Sequence, residues 1–530
     1  MDLAILSSHI FTGNPQQPWA EALAIRGNRI DVIGENHAVQ STLDRSKTRI
    51  LQLPGRLITP GLVDAHCHFG ALGASLTMIN LDRQPSLDAC REKIFKEVKN
   101  HKPGNWILGK GWNQHQWENG REPTLEDLDD LTPSNPAMMT RVCGHTVWVN
   151  SFALKLAGIS QDTPDPPGGR IERDPDTGKP NGLLRESRGL IERVMPKPSL
   201  EDWKASVLAA QENALRFGLT GVHSLEGLTQ WRAMRSLEDE GKLKVRVHHC
   251  LPGAFLDRTS EFNLFPGYGT DRLWIGHIKL FADGSLGSAT ALLHEPYHDN
   301  PSQTGIQVAS TDEMAKGILQ AYNRGYDVAI HSIGDKATTH SLGAIAEARK
   351  KNGHHQNPRD RIEHVQLLRQ QDVSLFKALN VAASVQPVFL PTDWSVAESK
   401  WGHERCKRGG YAWKTISNAG IPMLFGSDAP VESINPLLGL HAAAARCTVG
   451  GKPEGGWHPE QKLTLEEGIK GFTQIPAWSA RKENHLGTIA VGKWADLTIF
   501  EKDLFHVPVS EWPSTEVEMT IIDGEIVYQQ

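Results

Sequence analysis

The stretch Thr59-Pro60-Gly61-Leu62-Val63-Asp64-Ala65-His66-Cys67-His68 is an apolar run that ends in two histidines two residues apart. On a β-strand, residues i and i+2 point to the same side. Both imidazoles can therefore face one metal ion, and neutral imidazole nitrogens are ligands suited to zinc and similar divalent metals. In a chain with 23 histidines, such a pair also arises by chance as ordinary polar packing, so more ligands are needed to decide.

Short apolar runs recur along the middle of the chain, with amphipathic stretches of helical spacing between them. The runs cover residues 58–68, 219–225, 275–281, 327–333, 361–366, 381–388 and 423–428. Alternating strand and helix patterns of this length predict a parallel sheet of α/β class. The local pattern fits both a closed (β/α)8 TIM barrel and an open, doubly wound sheet.

Four further candidate ligands lie within or at the ends of these runs: Lys279, His331, His364 and Asp428. In a barrel, the active site gathers at the carboxyl ends of the strands, so residues far apart in the chain converge on one place. This arrangement favours the barrel over the open sheet.

The two ends of the chain have a different texture, with short apolar runs broken by Gly and Asn that indicate antiparallel strands. We expect residues 1–58 and 484–530 to pair into one small β-sandwich domain, with the barrel at 59–483. Residues from about 71 to 200 break the rhythm and are rich in Trp, Pro and Gly. They predict a large insertion near the barrel mouth that contains the second barrel strand at about 138–148.

Composition excludes some classes of function. The net charge of −6 offers no basic surface for nucleic acid. The first residues do not have the features of a secretion signal, and no stretch approaches a membrane span. Six scattered cysteines without a CxxC pair indicate a cytoplasmic protein. We therefore expect a small-molecule substrate as partner, and a homodimer is compatible with the composition.

Taken together, several sequence segments resemble those of the amidohydrolase superfamily. They place the chain near the amidohydrolase family 3 branch, which includes N-substituted formamide deformylase-like proteins. They lie at residues 60–68, 144–151, 279–288, 331–335, 361–364, 426–430 and 487–497.

The resemblance implies a metal-dependent hydrolase in which His66, His68 and Asp428 hold one divalent metal ion and His331 and His364 hold a second, zinc being the expected metal. It further implies that Lys279 bridges the two metals as a carbamate, that is, a carboxylated lysine. The alternative is an unmodified Lys279 that orients substrate, or pairs with an acid, beside a single metal ion.

Such a site would lower the pKa of metal-bound water and use the resulting hydroxide to attack a carbonyl group. Asp428 would carry the proton from water to the departing nitrogen, and its alternative role is a helix N-cap. The expected reaction is hydrolysis of an amide-like carbon–nitrogen bond in a small molecule. The competing hypotheses are an ester, lactone or phosphoester hydrolase and a catalytically silent binding protein.

Other residues are candidates for substrate contact. His145 could stabilise an oxyanion, and Trp112 could form a pocket wall, with packing as its alternative. Asp283 could line the mouth, although a turn at Gly284 explains it as well. His223 also ends an apolar run, but a single histidine there is typical of core packing.

Overall fold

The computed structural model describes residues 2–117, 120–142, 144, 146–166, 169–351 and 357–530. The chain forms two compact units. The barrel unit consists of Met1–Leu72 and Ala210–Gln530, and the insertion unit is Gly73–Ala209. Among the described residues, no helix combines the length and apolar character needed to cross a membrane.

Eight parallel strands form the central sheet of the barrel unit. In chain order they are Leu62–Cys67, Leu219–Leu225, Arg246–Pro252, Leu273–Phe281, Val328–Ser332, Arg361–His364, Ala382–Val385 and Met423–Phe425. The segment after the last strand contacts the first strand, because the backbone N–H of Asp428 donates to the carbonyl of His66 at 2.7 Å. The carboxylate of Asp64 also accepts from the Ser427 N–H at 3.1 Å. The predicted (β/α)8 fold is confirmed.

Helices follow the strands of this unit. They are Asn36–Ser41, Leu228–Asp239, Leu256–Glu261, Thr311–Asn323, Asp335–Lys351, Gln370–Leu379, Leu390–Trp401, His403–Gly409, Trp413–Asn418, Pro436–Ala445, Leu465–Phe472 and Gln474–Ser479. Phe69–Leu76 and Leu200–Arg216 cross the unit boundaries. Ser310 and Glu313 form a capping box that fixes the start of Thr311–Asn323, because each side chain satisfies a free backbone N–H of the other's residue.

The expected second barrel strand is wrong. Residues 137–141 and 146–149 belong to a separate sheet in the insertion unit, and Leu219–Leu225 is the second strand. The strand that the sequence did not reveal is Arg246–Pro252. Its sequence Arg-Val-His-His-Cys-Leu-Pro interrupts the apolar run with polar residues that the barrel buries, so the pattern of a buried strand is hidden.

Two sheets pack around a shared apolar core to form the small β domain. One sheet contains Arg29–Gly34, Ala22–Arg26, Leu3–Leu6 and Arg49–Gln52, in that order. The other contains Glu525–Gln529, Val517–Ile522, Leu497–Phe500, Leu57–Pro60, His9–Phe11 and Trp19–Ala20. The two ends of the chain meet where Leu497–Phe500 pairs antiparallel with Leu57–Pro60.

The insertion unit has its own sheet and core. Its strands, in spatial order, are Arg170–Arg173, Pro180–Arg185, Thr146–Val149, Ala137–Arg141, Ile107–Trp112 and Ile79–Asn80. Its helices are Leu87–Val98, Glu126–Asp129, Ser151–Ala157 and Gly189–Glu192. Two separate clusters of buried apolar residues lie within this unit, so the insertion is a folded body in its own right.

Candidate metal centre

His66 and His68 lie at the carboxyl end of the first barrel strand, and each ring is fixed through Nδ1. Nδ1 of His66 lies 2.6 Å from Oε2 of Glu363. Nδ1 of His68 lies 2.9 Å from the carbonyl oxygen of Leu225. Since a carbonyl oxygen and an ionised carboxylate oxygen only accept hydrogen bonds, Nδ1 carries the proton in both rings. Nε2 is then the nitrogen left for a metal.

His364 ends the strand Arg361–His364 and adopts a left-handed backbone with φ of 78°. A histidine in this conformation is uncommon, and such residues cluster at functional sites. Its Nδ1 lies 2.8 Å from Oε1 of Gln386, and its ring centroid lies 5.0 Å from that of His66. Nε2 of His364 is therefore free for a metal as well.

Asp428 completes the group. Its Oδ1 lies 3.3 Å from Nε2 of His66 and 3.1 Å from Nε2 of His68. Ligand atoms of His66, His364 and Asp428 all lie within 4.8 Å of one another. Asp428 also has a left-handed backbone, with φ of 58°. It is not an N-cap, because the next helix begins at Pro436 and is capped by Asn435.

This arrangement requires a positive charge. With Nδ1 protonated, the neutral rings of His66 and His68 turn lone pairs toward Oδ1 of Asp428, which carries lone pairs of its own. Oδ1 is buried and has no hydrogen-bond donor among the described residues. A divalent metal ion satisfies all three atoms at once, whereas without it an extra proton must do so. The donor set therefore fits a divalent metal.

His331 and Lys279 lie beside this group. Nε2 of His331 donates to the Gly284 carbonyl at 2.9 Å, which leaves Nδ1 as the free nitrogen, and its ring centroid lies 4.4 Å from that of His364. Lys279 is only 5% exposed, and its Nζ has no hydrogen-bond partner in the described part of the chain. Burial lowers the pKa of this amine, against the opposing effect of Glu363 and Asp428. The structure thus brings together all six predicted ligands.

The charges of the site follow from burial and neighbours. Burial, together with the nearby Lys279, lowers the pKa of His331 to about 4. Burial also lowers the pKa of His364 well below its usual range. Burial alone would raise the pKa of Asp428, but His66 and His68 hold it well below its usual value. At neutral pH His331 and His364 therefore present neutral imidazoles and Asp428 an ionised carboxylate, the forms that bind metal.

The residues predicted to contact substrate are placed differently. Asp283 is buried, and its carboxylate accepts from three backbone N–H groups, those of Leu292, Ile333 and Gly334. It therefore holds the loops behind His331, where its Oδ1 lies 3.6 Å from Nε2. The turn explanation fits Asp283 better than a place in the mouth.

Trp112 lies in the core of the insertion unit and has 0% exposed surface. Its indole N–H donates to the carbonyl of Met139 at 2.8 Å. Packing accounts for the residue, because no face of the ring is open to a substrate. His145 lies outside the described residues.

Two other groups of metal-binding residue types occur among the described residues. In the barrel interior, Nε2 of His248 is bound to Nδ1 of His277 at 2.9 Å, and the guanidinium of Arg361 donates to Cys250 at 3.6 Å. A cation beside the thiol and bonded ring nitrogens oppose a metal there. In the small β domain, Asp503 accepts from Nδ1 of both His9 and His506, so hydrogen bonds explain that group.

The sequence did not reveal the residues that hold the candidate ligands in place. Glu363 and Gln386 fix two imidazoles. Asp64 accepts from the N–H groups of His66 and Ser427 and so joins the first and last strands. Glu226 accepts from Gly70 and Ala71 directly after His68. The only available signal was a charged residue inside an apolar run, as in Asp64 and Glu363.

Comparison with known proteins supports this description. A model of the amidohydrolase family matches residues 49–528. YtcJ of Bacillus subtilis is 33% identical over 529 residues, which cover 98% of this chain and 98% of that protein. N-substituted formamide deformylase of Arthrobacter pascens is 25% identical over 545 residues, covering 100% and 98%. The crystal structure of an uncharacterized metal-dependent hydrolase from Pyrococcus furiosus superposes with a TM-score of 0.79 at 31% identity, covering 94% of this chain and 99% of that one.

Proposed function

Because the chain belongs to the amidohydrolase family of metal-dependent hydrolases, we propose that it hydrolyses an amide-like carbon–nitrogen bond in a small molecule. The observation that carries this proposal is the contact of two imidazole nitrogens with Oδ1 of Asp428. The relative named N-substituted formamide deformylase supports an amide-like substrate.

When bound, a divalent metal supplies a nucleophile at neutral pH and polarises a carbonyl oxygen. His66, His68 and Asp428 would hold one ion, and His331 and His364 would hold a second. Lys279 would join them as a carbamate, since a buried amine of lowered pKa is neutral often enough to react with carbon dioxide. Zinc is the metal that we propose, because imidazole and carboxylate donors suit it.

Asp428 has the second role, as proton carrier. Its side chain keeps 13% of its surface exposed, whereas that of His66 keeps 1%, so the carboxylate borders the space that a substrate would enter. Being ionised at neutral pH, it can accept a proton from water and return it to the departing nitrogen. That return is necessary because an unprotonated amine nitrogen is a poor leaving group.

We expect purified protein to contain between one and two equivalents of divalent metal per chain. Chelation should abolish hydrolysis, and Zn²⁺ or Mn²⁺ should restore it, with the second equivalent taken up only when bicarbonate is present to carboxylate Lys279. Metal analysis by mass spectrometry checks the stoichiometry, and Lys279→Met serves as the matched variant that should bind at most one equivalent. Protein without metal that remains inactive after Zn²⁺ or Mn²⁺ with bicarbonate would refute the proposal.

The class of bond is decided by a panel of matched substrates. N-formyl and N-acetyl amines should be hydrolysed at least about tenfold more efficiently, by kcat/KM, than esters, lactones or phosphoesters of the same carbon skeleton, once each rate is divided by its uncatalysed rate. Asp428 accounts for the preference, because only the amine requires a proton on departure. Faster normalised hydrolysis of the oxygen esters would instead make an esterase, lactonase or phosphoesterase the function.

A further inference from the structure

Arg361 and Glu363 form a charged pair inside the barrel, and both side chains are fully buried. They stand two residues apart on the strand Arg361–His364, so they point to the same side. Nε of Arg361 lies 2.7 Å from Oε1 of Glu363. The other carboxylate oxygen, Oε2, lies 2.6 Å from Nδ1 of His66. The pair therefore contacts a metal-centre residue directly.

The guanidinium is itself held from neighbouring strands. Nη1 of Arg361 donates to Nδ1 of His223 at 2.8 Å, and Nη2 donates to Sγ of Cys250 at 3.6 Å. His223 lies on the second barrel strand and Cys250 on the third. A continuous row of contacts thus joins the second and third strands, through Arg361 and Glu363, to His66 on the first.

We propose that Glu363 and Arg361 are positioning residues that prepare His66 to bind the metal; this inference rests on the proposed metal site. Glu363 keeps the proton of His66 on Nδ1, holds the ring in one orientation and increases the electron donation of Nε2. Arg361 fixes the carboxylate in the orientation that reaches His66. It also balances a charge that would otherwise be buried alone.

A purely structural role for this ion pair predicts a different effect on metal affinity. Buried ion pairs contribute little net stability and can often be replaced by neutral residues of similar volume. A pair that acts on a metal ligand should instead affect metal affinity, since removing such a partner typically costs about 10-fold to 100-fold. Metal affinity therefore separates the two explanations.

The decisive variant is Glu363→Gln in the full-length protein. Its amide retains the shape, but its NH₂ group must face either the N–H of His66 or the guanidinium of Arg361, so one contact is lost. We expect the Zn²⁺ affinity, measured by competition with a chromophoric chelator, to fall about 10-fold to 100-fold. The visible absorption of the Co²⁺-loaded protein should also change, and Glu363→Asp should recover part of the affinity.

The matched control is Asp496→Asn in the small β domain. The carboxylate of Asp496 also pairs with a buried arginine, with 2.6 Å between Oδ2 and Nε of Arg246, but it contacts no proposed ligand. We expect this variant to lose stability without losing Zn²⁺ affinity.

Wild-type Zn²⁺ affinity and Co²⁺ spectrum in Glu363→Gln would overturn the inference, as would an equal loss of affinity in Asp496→Asn. If Glu363→Gln does not fold, Arg361→Lys is the variant to test, because lysine keeps the charge but cannot reach Glu363, His223 and Cys250 together. Unchanged Zn²⁺ affinity in Arg361→Lys would equally contradict the inference. Wild-type protein that binds no metal would refute the proposed function itself, which is a distinguishable result.

Discussion

Asp428→Asn is expected to keep the fold and most of the bound metal while lowering kcat by about 10²-fold to 10⁴-fold, the usual contribution of a general acid–base group. An asparagine oxygen can still face Nε2 of His66 and His68, where Oδ1 of Asp428 lies at 3.3 and 3.1 Å. The amide cannot accept a proton from water, however, and cannot return one to the amine. Turnover should therefore fall far more than metal content.

The measurement combines kcat and KM on the best amide of the panel with metal analysis and thermal unfolding of the same samples. Asp360→Asn is the matched control, since Asp360 is a fully buried carboxylate just before the strand Arg361–His364, at the end of the strand opposite His364. It accepts from the backbone N–H of Val328 at 2.9 Å. Its loss should reduce stability and leave kcat unchanged. Wild-type turnover in Asp428→Asn would remove Asp428 from the mechanism.

The convergence of the candidate ligands could be predicted from the sequence because each lies within or at the end of an apolar run. In a parallel barrel, the carboxyl ends of all strands lie at the same face, so residues at these positions converge there. The contact between His66 and Glu363 could not be predicted in the same way, since the residues are 297 positions apart. Strand periodicity indicates which side a residue faces, whereas its partner depends on barrel register and closure.

Trp112 and the strand Arg246–Pro252 are two features that the sequence pattern did not predict correctly. A pocket wall and the core of a folded insertion are both rich in aromatic residues, so composition does not distinguish them. The structure shows that Trp112 packs in the core of the insertion unit. Arg246–Pro252 was missed because the barrel buries His248 and His249, which a pattern of apolar residues does not anticipate. Polar residues in the barrel interior are therefore the feature that sequence patterning describes least well.

Those buried histidines predict a steep loss of stability in acid. Burial lowers the pKa of His249 and of His277 to about 4, and it lowers the pKa of His223 and His248 well below the usual range. In the unfolded chain each would titrate near about 6.5. The unfolded state therefore binds more protons between about pH 6.5 and 4, and stability must fall as the pH is lowered through that window.

Each such histidine should reduce the free energy of unfolding by about 1.4 kcal/mol per pH unit in that window, and stability should be fully retained above about pH 6.5. Calorimetric melts of chelator-treated protein at a series of pH values check this, since removing metal beforehand excludes its release as the cause. His249→Phe should make the decline shallower by one histidine's share, because the ring packs beside Trp231 with centroids 5.5 Å apart and phenylalanine fits a similar space. His37→Gln, at an exposed position, is the control and should leave the dependence of stability on pH unchanged. If His249→Phe also leaves this dependence unchanged, the acid sensitivity does not come from buried neutral imidazoles.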